Sequence, residues 1–202
     1  MQIKIPYTPR KHQAFLHREI SRFRWNVLVC HRRFGKTVCM INHLIRSALL
    51  SKQKNPRFAY IAPTFKQAKS IAWDYMKQFT AKIPHTKFNE TELRVDLPNG
   101  SRITLLGSEN SDGLRGIYLD GCVIDEYANV NERLFPEIIR PALSDRKGYC
   151  VFIGTPQGMN NNFYELYQHA QGAEDWFNYK AKASETKIVD NEELVKAKEV
   201  MG

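Results

Sequence analysis

The sequence predicts an α/β domain with a mostly parallel central sheet flanked by helices, and three observations carry that reading. Short apolar runs suited to buried strands alternate with stretches of helical periodicity, the pattern of β-α-β units. The run Trp25-Asn26-Val27-Leu28-Val29-Cys30 passes through His31-Arg32-Arg33-Phe34 into Gly35-Lys36-Thr37, and a helical pattern follows. A second apolar run, within residues 117–126, ends in the adjacent carboxylates Asp125 and Glu126. At 202 residues the chain has the size of one such domain.

Composition narrows the class. Hydrophobic residues make up 43%, which suits a globular core and argues against general disorder. No run resembles a membrane span, and the first residues lack the apolar core of a signal peptide, so no membrane partner is expected. The four cysteines, at 30, 39, 122 and 150, show no close-paired spacing and are expected to be buried free thiols in a reducing cytosol. The formal charge of +9 is unevenly spread: residues 1–70 hold fifteen Lys/Arg against Glu19 alone, a net of +14, while the remainder is net −5. Nucleotide phosphates need only a few such charges, so the surplus points to nucleic acid as a partner.

The elements follow in order. Residues 1–24 are expected to form an arm and then a helix with Phe15, Leu16, Ile20 and Phe23 on its apolar face and Arg18 and Arg22 on a polar one. Gln13 lies in this arm; its amide can pair with both edges of adenine, or it is one surface residue among others. The core is expected over 25–184. After strand 25–30, Val38, Ile41, Leu44, Ile45, Ala48 and Leu49 recur at helical spacing. Asn55-Pro56 breaks the chain before strand 57–62, and Pro63-Thr64 opens a long helix bearing Phe65, Ala68, Ile71, Ala72, Tyr75, Met76 and Phe79. Residues 92–106 read as a hairpin turning at Pro98-Asn99-Gly100. A glycine-punctuated stretch with Gly113-Leu114-Arg115-Gly116 leads into the run that ends at Asp125-Glu126. Leu134, Ile138, Ile139 and Leu143 suit a helix over 131–143, and strand 149–153 ends in Gly154-Thr155-Pro156. A short helix around Phe163, Leu166 and Tyr167 and a last strand at 176–181 complete the core. Residues 185–202, charged and with one weakly amphipathic helix around 192–201, are expected to be a linker cut from a larger protein.

The motifs specify chemistry. Strand, loop, Gly-Lys-Thr and helix form the context of a P-loop, in which backbone N–H groups and the helix dipole surround phosphates. Lys36 would reach the β- and γ-phosphates, and the Thr37 hydroxyl would hold Mg²⁺. Cys30 stands where this motif usually has its first glycine. Two carboxylates at the end of a buried strand are costly without a cation or a reaction to serve. As a Walker B pair, Asp125 would bind the Mg²⁺ shell and Glu126 would act as general base on the attacking water. Thr155, at the carboxyl end of a strand beside the nucleotide strand, would sense the γ-phosphate or that water. Each signal alone has a plain structural reading; their order along one chain favours the functional one.

Gln13, the run Cys30–Thr37 with its paired arginines, Gly113-Leu114-Arg115-Gly116, Asp125-Glu126 and Gly154-Thr155-Pro156, in that order, resemble the ATPase domain of the large terminase subunit of tailed bacteriophages. The resemblance covers about residues 7–180, and that family commonly departs from the first P-loop glycine. It implies a RecA-like P-loop NTPase fold of the ASCE type and an ATP-hydrolysing, Mg²⁺-dependent motor that packages double-stranded DNA into a procapsid. It implies a ring, usually a pentamer, on the portal protein, working with the small terminase subunit in the host cell cytoplasm. Nucleotide binding falls to Gln13, Arg32, Arg33, Phe34, Gly35, Lys36 and Thr37; the metal to Thr37 and Asp125; catalysis to Glu126, Lys36, Arg115, Arg32 and Thr155. Arg115 is implied as a finger reaching a neighbouring subunit's nucleotide, with Arg32 or Arg33 in cis as the competing assignment and a surface loop cation as the plain one. The family also has an RNase H-like nuclease domain; nothing after residue 185 offers its clustered acids, so no nuclease activity is expected in this chain.

Three other functions compete. A superfamily 2 helicase fragment would carry similar motifs but needs a second RecA-like domain for which there is no room. A GTPase-type switch needs an Asn-Lys-x-Asp motif, which is missing. A DNA-binding module with a degenerate P-loop fits Cys30 but not the intact Lys36, Thr37, Asp125 and Glu126.

Overall fold

The computed structural model describes residues 4–186 and 188, so the helix expected around 192–201 lies outside the described residues. Eight strands form one sheet: β1 (Trp25–Cys30), β2 (Arg57–Ala62), β3 (Lys87–Asn89), β4 (Arg94–Asp96), β5 (Arg102–Gly107), β6 (Gly121–Ile124), β7 (Tyr149–Gly154) and β8 (Trp176–Ala181). Their spatial order is β3-β4-β5-β2-β6-β7-β1-β8. From β5 to β8 every pairing is parallel; β4 and β3 extend the β5 edge antiparallel. The strand ending in Gly154-Thr155 lies between β1 and the strand ending in Asp125-Glu126, so both motifs flank the end of β7. This is the mostly parallel α/β sheet expected from the sequence.

The helices cover both faces. On one face lie α1 (Lys11–Ile20), α2 (Lys36–Leu50) and α3 (residues 65–80). On the other lie α4 (residues 135–144) and α5 (Asn162–Gln171). A single turn, α6 (Ala183–Thr186), follows β8. Alternation along β1 divides the core: Leu28 and Cys30 pack under α2, while Trp25, Val27 and Val29 pack on the α4–α5 face. Strands buried on both faces need continuous apolar sequence, which is why β1, β6 and β7 read so clearly.

Several boundaries differ from expectation, each for a local reason. α1 begins at Lys11 and already contains Gln13, and it ends at Ile20, so Phe23 lies beyond it and stacks on Phe177 of β8 instead. α3 carries a π-helical segment, Lys69–Trp73; the widened turn lets Ala68, Ala72, Trp73 and Met76 all face the core. α4 starts later than residue 131 because Asn131 makes a turn, its side chain accepting from the Arg133 N–H at 2.9 Å. The hairpin is present, but β3 adds a third strand too short to show a period. All four cysteines are buried free thiols, as expected.

The arm before α1 crosses a buried polar cluster. Tyr7 Oη and His17 Nε2 are 3.0 Å apart, and His17 and His43 stack with Nδ1 atoms 3.2 Å apart. Burial, aided by Arg46, pushes His17 down to about 4; burial, then His17 and Arg46, pushes His43 down to about 3. Both rings are therefore neutral in the folded chain. As pH falls below 6.5, the unfolded chain binds protons that the folded chain refuses, so stability falls by about 1.4 kcal/mol per pH unit per ring until the folded values are reached. A His43→Asn chain, with one fewer titrating ring, should lose about 2 kcal/mol less between pH 7 and pH 5 than the parent in urea denaturation. Parallel losses in the two chains would show that this ring does not set the acid sensitivity.

Candidate active site

The loop 31–35 joins β1 to α2 at the carboxyl end of the sheet. Arg33 (φ 65°) and Gly35 (φ 82°) adopt the left-handed conformation, which curls the loop under the first turn of α2. That φ favours glycine at position 35, and a Cβ there would also push aside the flexible Arg10 guanidinium. Cys30 is not among the positive-φ residues, and its side chain turns into the core under α2, where burial pushes the thiol up to about 12. The position thus needs no glycine, which explains the departure from the usual motif. The Phe34 ring is 1% exposed and packs near His12, His31 and Tyr179, so only its backbone can face a ligand. Arg32 and Arg33 are both exposed beside it.

Lys36 opens α2 and donates from Nζ to Thr155 Oγ1 at 3.0 Å and to the Cys30 carbonyl at 3.3 Å. An ammonium has three N–H donors, so one remains for an anion. The contact brings the P-loop lysine and the hydroxyl after β7 to one point.

Asp125 follows β6 and is 4% exposed. Its Oδ2 accepts the Tyr60 hydroxyl, and its Oδ1 accepts the Glu126 N–H at 2.8 Å. Burial pushes its carboxyl up to about 6, with the Glu126 charge adding to the rise and Tyr60, the Glu126 N–H and Lys36 opposing it. Tyr60 is fully buried and held well above its ordinary value by burial and by the Asp125 charge, so its hydroxyl stays a donor. The Thr37 hydroxyl lies beside it. A desolvated carboxylate and a threonine hydroxyl are the all-oxygen donor set that suits Mg²⁺, so the residues present fit the metal the motifs imply. Glu126 has φ 46° and ψ 49°, a left-handed conformation that costs a non-glycine residue on the order of 1 kcal/mol. Among the described residues no hydrogen bond or ion pair engages its side-chain carboxylate.

The other candidates are placed as follows. Gln13, 3% exposed, accepts the Arg10 N–H at 3.0 Å and donates from Nε2 to the Gly35 carbonyl at 3.3 Å, so its amide ties the start of α1 to the P-loop. Arg10 donates to the Phe34 carbonyl at 2.5 Å. Arg115 follows the 3₁₀ segment Ser108–Leu114, far along the β5–β6 connection, with one guanidinium nitrogen 3.9 Å from Glu137 of α4 and its side chain 58% exposed. Lys36, Thr37, Asp125, Glu126 and Thr155 are thus brought together, while Arg115 stands on the α4 face. Sequence reading missed Arg10, one base among many in the arm, and Tyr60, whose signal was a polar hydroxyl in a strand buried on both faces.

Comparisons with known proteins bear on the family and the fold. A family model described as "Terminase large subunit, T4likevirus-type, N-terminal" matches residues 29–199. The large terminase subunit of Thermus phage G20c is 27% identical over 180 residues, covering 80% of this chain and 36% of that protein; the subunit of Thermus virus P23-45 matches equally. The chain therefore spans about a third of the length of these relatives. Among solved structures, the large terminase ATPase domain of Thermus phage P74-26 shares the fold with a TM-score of 0.79 at 23% identity, covering 95% of this chain and 88% of that one. The large terminase of another thermophilic bacteriophage, solved in complex with ADP, superposes with a TM-score of 0.77 at 15% identity, covering 93% of this chain and 48% of that one. With most of its length matched by that family model and the same fold in these structures, the chain belongs to the terminase large subunit family and corresponds to its N-terminal, RecA-like part.

Proposed function

We propose that this chain is the ATP-hydrolysing motor of a viral DNA-packaging terminase, with residues 25–184 as the ATPase core. The observation that carries the reading is the convergence of Lys36, Thr37, Asp125, Glu126 and Thr155 at one end of the sheet, sealed by the 3.0 Å contact from Lys36 to Thr155. That a large terminase of the same fold was solved in complex with ADP supports nucleotide binding in this reading.

In this reading the N–H groups of the loop and the start of α2 bind the phosphates of ATP, and Lys36 moves its donors onto the β- and γ-oxygens. Thr37 and Asp125 would hold Mg²⁺, which when bound would supply positive charge against that developing in phosphoryl transfer. Glu126 takes a proton from water as its oxygen attacks the γ-phosphorus, the bond to the ADP oxygen breaks, and phosphate leaves. The Glu126 carboxylate, engaged by no hydrogen bond or ion pair among the described residues, is left available to that water. Thr155, bonded to Lys36, is placed to register whether the γ-phosphate is present. Gln13 and Arg10 hold the loop on the adenine side. Arg115 serves a neighbouring subunit as the trans-acting finger: it is a largely exposed cation on the α4 face, on a connection outside the P-loop. The partners are double-stranded DNA, for which the +14 of residues 1–70 supplies charge, the portal protein, the small terminase subunit and further copies in a ring, in the host cell cytoplasm.

Two experiments test the reading. Glu126→Gln should lower ATP turnover about 10²- to 10⁴-fold while leaving nucleotide affinity within a few-fold; undiminished turnover would remove Glu126 as the base. For the finger, Arg115→Ala should lose about 10³- to 10⁵-fold in rate, and mixing it with the Glu126→Gln chain should restore hydrolysis. Mixed subunits no more active than either alone would assign the finger elsewhere, and specific activity independent of protein concentration would count against the ring.

A further inference from the structure

Tyr60 sits in the middle of β2, in the run Phe58-Ala59-Tyr60-Ile61-Ala62, and is fully buried. Packing alone would be met as well by phenylalanine, and a buried phenol is costly unless its hydroxyl is bonded. Its hydroxyl is bonded to the most consequential carboxylate of the molecule, Asp125 Oδ2, and lies beside the Thr37 hydroxyl. β2 and β6 are neighbouring parallel strands, with Tyr60 paired to Val123 and Ile61 to Ile124. Tyr60 and Val123 share the α2 face, and alternation returns Asp125 to that face one step further on. The phenol therefore reaches diagonally along the sheet, under the first turn of α2.

We infer that Tyr60 is a positioning residue for the metal site, its hydroxyl orienting the Asp125 carboxylate toward the cation. The inference rests on the Mg²⁺-nucleotide reading above and deepens it. The torsion that turns a carboxylate about its last bond is broad and weakly two-fold. Here each oxygen of Asp125 holds one donor, Tyr60 Oη on Oδ2 and the Glu126 N–H on Oδ1, which fixes the plane. The carboxylate plane is thus held by the Tyr60 hydroxyl together with the Glu126 N–H. Partners of this kind typically tune metal affinity about 10- to 100-fold.

The test compares Tyr60→Phe and Asp125→Asn in the same chain. Mn²⁺ binding in the presence of a non-hydrolysable ATP analogue is followed by the loss of the free-ion electron paramagnetic resonance signal, beside a thermal melt without nucleotide. Tyr60→Phe should melt within a few degrees of the parent yet need about tenfold more Mn²⁺ for half-saturation, with kcat largely recovered at high Mg²⁺. An unchanged half-saturation in Tyr60→Phe, with Asp125→Asn clearly weakened, would overturn the role of Tyr60 alone. Unchanged binding in both would overturn the metal reading beneath it. A second measurement guards against a substitution that fails to fold. 3-Fluorotyrosine placed at position 60 alone should shift its fluorine resonance when Mg²⁺ is added to the analogue complex, and a resonance that stays put would sink the inference.

Discussion

Everything at the carboxyl end of this sheet is arranged around one expense, the dehydrated carboxylate of Asp125. At 4% exposure it has lost nearly all of its water, and burial holds its carboxyl up at about 6. Hydrogen bonds from Tyr60 and the Glu126 N–H offset part of that cost, and Lys36 contributes charge from α2. The remainder is a cost that a bound cation would offset, as the proposed function supposes. The turn that supplies the Glu126 N–H also forces Glu126 into the left-handed region, so the strained backbone and the bonded carboxylate are one feature.

The order of strands keeps the distances short. With β7 between β1 and β6, the P-loop and the acidic pair flank a third strand end, and Thr155 on that end meets Lys36. No long side chain has to cross the sheet. The two apolar layers hold the three strand ends in register, because each of β1, β6 and β7 is buried on both faces. A shift of any one would move a polar group out of reach of its partner.

Much of this could be read from sequence, and the reasons are physical. Doubly buried strands must be continuously apolar, so β1, β2 and β7 stand where the apolar runs predict them. Lys36, Thr37, Asp125, Glu126 and Thr155 follow from motifs because each sits at a strand end or helix start, where local order fixes direction. Tyr60 and Arg10 could not be found this way, since each acts through a partner 24 to 65 positions distant in sequence. The π-helical segments of α3 and α4 also escaped, because one extra residue in a turn barely disturbs a period of 3.6. Gln13 was visible as a residue type, but its double engagement with Arg10 and Gly35 was not.

One feature of the loop reaches beyond chemistry. β8 is the edge strand beside β1, and where it ends the Ala181 carbonyl accepts the His31 N–H at 3.2 Å. A few residues later Thr186 Oγ1 lies 2.8 Å from His31 Nε2, on a turn braced by the ion pair of Lys182 with Glu185 at 2.9 Å. The first residue of the phosphate loop is therefore pinned, by backbone and by side chain, to the segment through which the polypeptide departs from the sheet. Segment and loop share a joint: a tug on residues 183–186 must either shear the His31–Thr186 bond or drag the loop along with it.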